Sequence, residues 1–327
     1  MNLPENKALS SALPNSGSWE FGGHLYGLEP LALPAEWLPR KPRYDPDRAA
    51  PGTPPMPDDW LFPPAVQASI AELVPVDGGE MDRLFWFRWI TGHQTTFILW
   101  QLLAATLDEA QQHGADQDML ARRARCLVRG YSLMLLYSAS PPRETYERVI
   151  RDPMARQHPN LSGAWARDYT DIRALIRGKV TLGGEAEAAL LAQECELNER
   201  VHEGIAARAV PSGVSLLLTP GLRHQGVRRL HRETLLWLYD GIFLTTRMPV
   251  GHDDVERQFL RRIHAIHLDV SANGLYPACV PQTGDEPAEL MTSEALTLKN
   301  SFIQTLQELT ELVVTPWGEP EYELSTS

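Results

Sequence analysis

Apolar side chains recur at three- and four-residue steps through most of the chain after about residue 80, and this spacing restricts the fold more than any other feature. In 80–111, residues such as Phe85, Trp89, Phe97 and Trp100 follow it, which predicts a helix with one buried face. The other runs with this spacing are 116–137, 143–151, 185–209, 225–247, 252–271 and 292–314. Strand-like alternation is weak, and 152–165 has the composition of a loop. We therefore predict an all-α helical bundle around one core.

The first 79 residues have a different composition. Prolines recur from Pro4 to Pro64, at a density that forbids long helices. The aromatic residues between them make this zone too apolar for a solvated tail; they are Trp19, Phe21, Tyr26, Trp37, Trp60 and Phe62. The expected organisation is a proline-rich arm over 1–79, packed on a helical domain over 80–327. Such an arm can also cover a neighbouring subunit, which makes a homodimer an expectation.

Charge and cysteine usage exclude several classes of protein. The net charge of −12 offers no basic surface for a nucleic acid. No stretch has the length and apolarity of a membrane span, and the first residues do not resemble a secretory signal, so we expect a cytoplasmic protein. Cys126, Cys195 and Cys279 are widely spaced and form no CxxC motif. This pattern argues against zinc ribbons, iron–sulfur clusters and ordinary c-type haem attachment.

The candidate chemistry rests on histidines in the predicted helices. Familiar nucleotide-binding, zinc-protease and hydrolase motifs are absent. His93 lies in the apolar stripe of its helix beside Gly92, which leaves room for a flat group; a satisfied core histidine is the alternative. His202 and His231 are further inward candidates, each with the same structural alternative. His264 and His267 have a spacing that could serve one metal, but no acidic or cysteine partner stands at ligand spacing, so a structural or solvated role is the alternative.

Two segments resemble haem-dependent aromatic oxygenases. LFWFRWITGHQTTFILWQLLAATLDE, 84–109, is similar to the distal-histidine helix of tryptophan 2,3-dioxygenases. RVHEGIAAR, 200–208, resembles the axial-ligand helix of that family, in which an arginine stands six residues after the histidine, as Arg208 follows His202. A helical fold with inward histidines and many tryptophans also suits a flat porphyrin, which needs a slot between helices and an imidazole on iron.

Other segments resemble a narrower group. The substrate loop of the dioxygenases is replaced by PSGVS, 211–215. GSWEFGGHLYGLEPL, 17–31, and SASPPRETYERVIRDPM, 138–154, look like the histidine-ligated haem L-tyrosine hydroxylases, which make 3,4-dihydroxyphenylalanine in bacterial natural-product pathways. The resemblance runs from about residue 17 to 310. It implies haem b as cofactor and a reaction at the 3-position of L-tyrosine or a close derivative, with hydrogen peroxide or dioxygen plus a reductant as oxidant.

The resemblance also implies roles for individual residues. His202 would ligate the haem iron, with Glu199 and Glu203 as possible hydrogen-bond partners or simply solvated charges. His93 would exchange a proton on the distal side. Arg143 and Arg148 would bind the substrate carboxylate, with surface ion pairs as the alternative. The residues expected around the haem and the substrate ring are Trp86, Trp89 and Phe97.

Two other functions compete with hydroxylation. A haem dioxygenase of the indole or tryptophan type would insert both oxygen atoms into its product. A non-catalytic helical binding protein would carry no haem, and its helix histidines would be ordinary core residues. The mass of the product distinguishes a dioxygenase from a hydroxylase. The colour of the purified protein distinguishes a haem enzyme from a binding protein without haem.

Overall fold

The computed structural model describes residues 18–19, 26–35, 66–67, 81–157, 163–209, 229–277 and 286–314, and most of these described residues are helical. This confirms the predicted all-α class. The longer helices are α1 (Met81–Glu109), α2 (Gln117–Ser138), α6 (Glu185–Ala209), α7 (Arg229–Ile242), α8 (His252–Asn273) and α10 (Phe302–Val314). The shorter ones are α3 (Arg143–Thr145), α4 (Asp152–Gln157), α5 (Tyr169–Ile176) and α9 (Ser293–Asn300). A π-helical turn, Tyr146–Arg151, joins α3 to α4, and 3-10 turns occupy Gly163–Trp165 and Ala288–Leu290.

Helix α2 is the centre of the bundle, with α1 packed along one side and α6 along another. Glycines allow neighbouring helices to approach α2 closely at two points. A Cβ at Gly130 would lie 2.8 Å from the Leu309 side chain of α10, and a Cβ at Gly92 of α1 would overlap the Ser138 side chain. The C-terminal end of α2 therefore meets α1 at short range, where His93 follows Gly92.

Periodicity predicts the long helices closely. The predicted runs 80–111, 116–137, 185–209 and 252–271 correspond to α1, α2, α6 and α8. Asp116 caps α2, because its carboxylate accepts a hydrogen bond from the backbone N–H of Met119 at 3.0 Å. Each of these helices is long enough for the apolar spacing to show over several turns.

Four segments of the secondary structure differ from the prediction. The loop predicted over 152–165 is wrong, because Asp152–Gln157 is helical; Pro153 stands in the first turn, where its missing N–H costs little. Helix α5 was missed, although its buried side chains follow helical spacing. The helix predicted over 225–247 ends at Ile242, because Leu244 adopts a left-handed φ of 50° and Thr245–Arg247 then forms strand β4; 225–228 lie outside the described residues. The helix predicted over 292–314 is broken at Ser301.

The described part of the N-terminal arm packs into the body. Strand β2 (Leu31–Leu33) pairs in parallel with β4, and its residues are buried. The Gln258 side chain of α8 bonds to the N–H and to the C=O of Ala32, each at 2.8 Å, so α8 holds one edge of β2. Strands β1 (Ser18–Trp19) and β3 (Val66–Gln67) form an antiparallel pair.

Among the aromatic residues expected to anchor the arm, Tyr26 is buried. The side chain of Trp19 and all of Phe21, Trp37, Trp60 and Phe62 lie outside the described residues. The division of the chain at residue 79 stays a prediction.

A buried arginine joins α1, α2 and α8. Arg88 donates from Nε and Nη2 to the two carboxylate oxygens of Asp269, at 2.8 and 2.9 Å. Its other donors reach Ser140 Oγ and the carbonyl oxygens of Leu275 and Gly274, so all five N–H groups are used. Both side chains of the ion pair are inaccessible to solvent.

The Asp269 carboxylate also connects α8 to α2 and to the N-terminal arm. Tyr137 of α2 donates its hydroxyl to Asp269 at 2.6 Å. Asn273 donates to Asp269 and to the hydroxyl of Tyr26, which connects the arm to this network.

Several sequence expectations concern the surface and the thiols. No helix within the described ranges combines the length and the apolarity that crossing a membrane requires. Cys126 and Cys195 are free, and burial raises the pKa of each thiol to about 12; Cys279 lies outside the described residues.

In the part of the chain that the structure covers, no three His, Cys, Asp or Glu side chains are grouped to hold a metal, and this includes the neighbourhood of His264 and His267.

The Arg88 network predicts a large loss of stability on removal of its cation. We expect Arg88→Met to lower the free energy of unfolding by about 3–5 kcal/mol, because Asp269 is left as a buried charge without its counter-ion. Arg83→Met, on the exposed side of the same helix, should change it by less than about 0.5 kcal/mol. Urea unfolding of both variants measures the difference, and equal effects would contradict the proposed importance of the pair.

Candidate active site

One face of α1 carries a row of aromatic rings, which we call the α1 aromatic stripe: Trp86, Trp89, His93, Phe97 and Trp100. Their three- and four-residue spacing places them on one side of the helix. Two rings cover the middle of the stripe: Tyr239 of α7 lies 5.9 Å from Phe97, and Phe243, just after α7, lies 5.5 Å from it, centroid to centroid. Tyr146, in the π-helical turn, contacts Trp89 edge to face at 5.8 Å.

His93 is held in one orientation and one tautomer. Its Nδ1 lies 2.7 Å from the carbonyl oxygen of Trp89. Because a carbonyl only accepts, Nδ1 carries the proton, and Nε2 keeps an unprotonated lone pair. The imidazole stacks on Phe243 with centroids 4.4 Å apart and ring planes 14° apart, and Trp89 contacts it from another side at 4.1 Å. The result is a rigid base in apolar surroundings.

Burial lowers the pKa of His93 from 6.5 to about 4, against a smaller raising effect of its hydrogen bond to Trp89. The imidazole is therefore neutral at physiological pH. A neutral imidazole with a free Nε2 can accept a proton and pass it on.

A groove of about 470 Å³ opens beside the α1 aromatic stripe, between α1, α4 and α7. We call it the Trp86–Trp237 groove after two of its lining residues; the others are Pro153, Met154, Gln157, Leu238, Gly241 and Ile242. Its volume falls in the range of small-molecule and cofactor sites. Trp237 is 58% exposed, a large fraction for a tryptophan, and it stands on the wall of this groove.

His202 lies on α6, near the end of α2 that also meets α1. One turn before it, Asn198 donates to Ser132 Oγ of α2 at 2.9 Å, and six residues after it, Arg208 donates to the carbonyl oxygen of Ala139. His202 is exposed and is not part of the lining of the Trp86–Trp237 groove. Partial burial lowers the pKa of its imidazole, while the charges of Glu203 and Glu199 raise it. The ring is neutral at pH 7, which is the form that binds iron.

The other predicted site residues fall into two groups. Trp86, Trp89 and Phe97 lie together with His93 on the α1 aromatic stripe, whereas Glu199 and Glu203 are exposed on α6. The side chain of His231 lies outside the described residues.

The two predicted carboxylate-binding arginines are at the surface. Arg148 forms a two-pronged ion pair with Asp82, and its hydrogen bond lowers the pKa of that carboxylate. Arg143 is exposed on α3. Neither lines the Trp86–Trp237 groove. Arg148 thus has the ion-pair partner considered as the alternative, and the substrate role of both residues stays a prediction.

Sequence reasoning missed Arg167, which lies next to the groove. Its guanidinium carbon is 5.2 Å from the ring centroid of Trp237, and its Nε donates to Asp240 at 3.2 Å. Its Nη2 is buried and has no hydrogen-bond partner. Arg167 stands between a 3-10 turn and α5, in a stretch without helical spacing, so no periodic signal could have identified it.

Part of the chain is similar to a known protein family. Residues 32–194 match the model of a family described as SfmD 3-methyl-L-tyrosine peroxygenase, over just under half of the 327 residues. This region includes the α1 aromatic stripe, Met154 and Arg167, whereas His202 and α7 follow it. No curated protein matches the chain. The similarity supports an oxidoreductase of the peroxygenase type that acts on a tyrosine derivative.

The lowered pKa of His93 predicts a specific dependence of stability on pH. Between pH 6.5 and 4 the unfolded chain binds a proton at this position and the folded chain does not, so the free energy of unfolding decreases as the pH falls. From pH 7 to pH 4, the wild type should lose about 3 kcal/mol more than His93→Gln, which keeps an N–H donor but does not titrate. Urea unfolding at both pH values measures this loss. His113→Gln, which removes an exposed histidine, should lose as much as the wild type; equal losses in all three proteins would contradict the assignment.

Proposed function

We propose that this protein is a haem-dependent peroxygenase that hydroxylates the ring of L-tyrosine or a close derivative beside its phenol oxygen, as a step in natural-product biosynthesis. The observation that carries the proposal is His93, a neutral imidazole with one nitrogen locked and the other free, set among aromatic rings. It lies within the region that is similar to 3-methyl-L-tyrosine peroxygenases. The overall reaction consumes hydrogen peroxide and the substrate, and it yields the catechol and water.

The residues present fit a haem group. His202 offers a neutral imidazole that makes no hydrogen bond among the described residues, so a ring nitrogen is available to iron. The indole N–H of Trp89, beside His93, is buried without an acceptor, which is unusual for a polar atom inside a finished core. Haem would supply the oxidation chemistry of iron, and the protein would supply position and electrostatic field. In this assignment His202 would hold the iron, and Trp86, Trp89 and Phe97 would provide aromatic contacts to the macrocycle.

His93 acts as a proton relay in this proposal. Its Nε2 takes a proton from hydrogen peroxide or from the substrate phenol, while Nδ1 stays bonded to Trp89. Because the pKa of the imidazole is about 4, the imidazolium gives its proton up readily, and the base is restored within one turnover. The backbone engages Nδ1 alone, so Nε2 is the ring nitrogen that can exchange a proton with a bound substrate.

Packing fixes the direction of the relay. The stacked Phe243 ring covers one face of the imidazole, and Trp89 contacts it from another side. The ring therefore has little freedom to turn, and proximity to a bound substrate becomes a property of the folded helix. The π-helical turn adds Tyr146 to this enclosure, and such turns are frequent at functional sites.

Removal of the axial ligand tests the proposal most simply. We expect His202→Ala to weaken hemin binding at least about tenfold, because the iron loses its protein ligand. Hemin titration followed by the Soret band measures the affinity, with His113→Ala as the matched exposed control. Full affinity in His202→Ala, with the loss appearing in His231→Ala instead, would show that the axial assignment is wrong.

The same titration separates binding from catalysis. His93→Gln should keep the hemin affinity of the wild type and slow peroxide-driven tyrosine hydroxylation by about two orders of magnitude, which is typical for the loss of a general base. Unchanged turnover would remove His93 from the reaction. A wild-type protein that binds no hemin at all would contradict the proposed function as a whole.

A further inference from the structure

The Trp86–Trp237 groove has the walls of a binding site for a flat ring. Two tryptophans from different helices border it, and Met154 from α4 is part of the lining. The indole of Trp237 stays exposed, although burial of a tryptophan is strongly favourable. A Cβ at Gly241 would meet no atom of the described residues within 4 Å, which leaves space in front of this part of α7.

Arg167 provides a cation at the edge of this groove. It stands over the ring of Trp237, which itself lines the groove, and its Nε bond to Asp240 fixes the orientation of the guanidinium. Its Nη2 is buried without an acceptor, and an unsatisfied buried donor costs about 1–3 kcal/mol. A carboxylate placed against this edge would remove that cost, after a shift of the weakly packed Trp237 side chain.

The neighbouring charges leave this edge of Arg167 available. Asp168 and Asp240 are both buried, and Arg247 makes two hydrogen bonds to each of them, between 2.7 and 3.1 Å. Gln101 gives Asp168 a further donor. Arg167 contributes one bond to Asp240 through Nε, which leaves the Nη2 side of its planar fork for another anion.

We propose that the Trp86–Trp237 groove binds a flat aromatic ligand that carries a carboxylate, and that Arg167 is the residue that pairs with this carboxylate. Two ligands of the proposed function have this chemistry. One is the aromatic amino acid, through its α-carboxylate, and the other is haem, through a propionate. The identity of the ligand rests on the proposed function, whereas the carboxylate subsite rests on the geometry of Arg167, Trp86 and Trp237.

The α-carboxylate is tested by comparing L-tyrosine with tyramine, which has the same ring and amine but no carboxylate. Calorimetric titration of the hemin-reconstituted protein should show L-tyrosine binding at least about tenfold tighter than tyramine, as a charge-assisted hydrogen bond provides. In Arg167→Met this preference should disappear. Arg173→Met removes an exposed arginine of the nearby helix α5 and should keep the preference.

Hemin titration of the same proteins tests the propionate. If Arg167→Met lowers hemin affinity and keeps the preference for L-tyrosine, the carboxylate in the subsite belongs to haem. If both the preference and the hemin affinity survive in Arg167→Met, the proposed subsite is overturned.

A second variant tests the groove without touching Arg167. Gly241→Trp places a bulky side chain into the space in front of α7 without substituting Arg167, Asp240 or Arg247. It should weaken binding of the same ligand about as strongly as Arg167→Met does, with an unchanged melting temperature. Unweakened binding would show that the ligand lies elsewhere. Both experiments report on binding, so a loss of hydroxylation alone would count against the proposed function and not against the subsite.

Discussion

The ion pair between Arg88 and Asp269 is the interaction on which the arrangement of this bundle depends. An arginine buried without its partner carries a large desolvation penalty, so α1 and α8 can pack only in the relative position that brings the two side chains together. Every donor of Arg88 has an acceptor, which makes the position specific as well as stable. Tyr137 and Asn273 join the same carboxylate and extend the constraint to α2 and to the arm.

This constraint also sets the direction in which the candidate active site faces. Arg88 precedes Trp89 on α1, and successive residues of a helix are turned by about 100° from each other. Fixing Arg88 towards α8 and Gly92 against the end of α2 therefore turns Trp89 and His93 towards Phe243, just after α7. The buried ion pair of Arg88 on one face of α1 thereby determines where the α1 aromatic stripe, with His93, is directed.

The separation of Arg88 from the α1 aromatic stripe also explains why His93 is neutral. The buried charge of α1, Arg88, is directed to Asp269, while the α1 aromatic stripe meets Phe243 and the Tyr146 ring of the π-helical turn. No carboxylate contacts His93 among the described residues, and the burial lowers its pKa without compensation by an opposite charge. The apolar surroundings that suit an aromatic ligand also keep the imidazole neutral.

The sequence predicts the helices that the spacing of apolar residues indicates. It does not predict the features that depend on contacts between residues far apart in the chain. The spacing of apolar residues predicts α1, α2, α6 and α8, and it also places His93 among the tryptophans. It gives no sign that Arg88 is buried, because an arginine in a helix normally faces solvent until a partner such as Asp269 is known. Strand β4 depends on pairing with β2, which is more than 200 residues away in the chain. Arg167 is recognised only from its contact with Trp237 and from its donor without a partner.

Isotopic labelling of the oxidant distinguishes peroxide-driven hydroxylation from the other reactions. The hemin-reconstituted protein is incubated with L-tyrosine or 3-methyl-L-tyrosine and with hydrogen peroxide that contains heavy oxygen, and the product is analysed by mass spectrometry. A peroxygenase would yield a catechol that carries one heavy oxygen atom from the peroxide. A product that carries two oxygen atoms from dioxygen, or the absence of any oxygenated product, would contradict the proposed function.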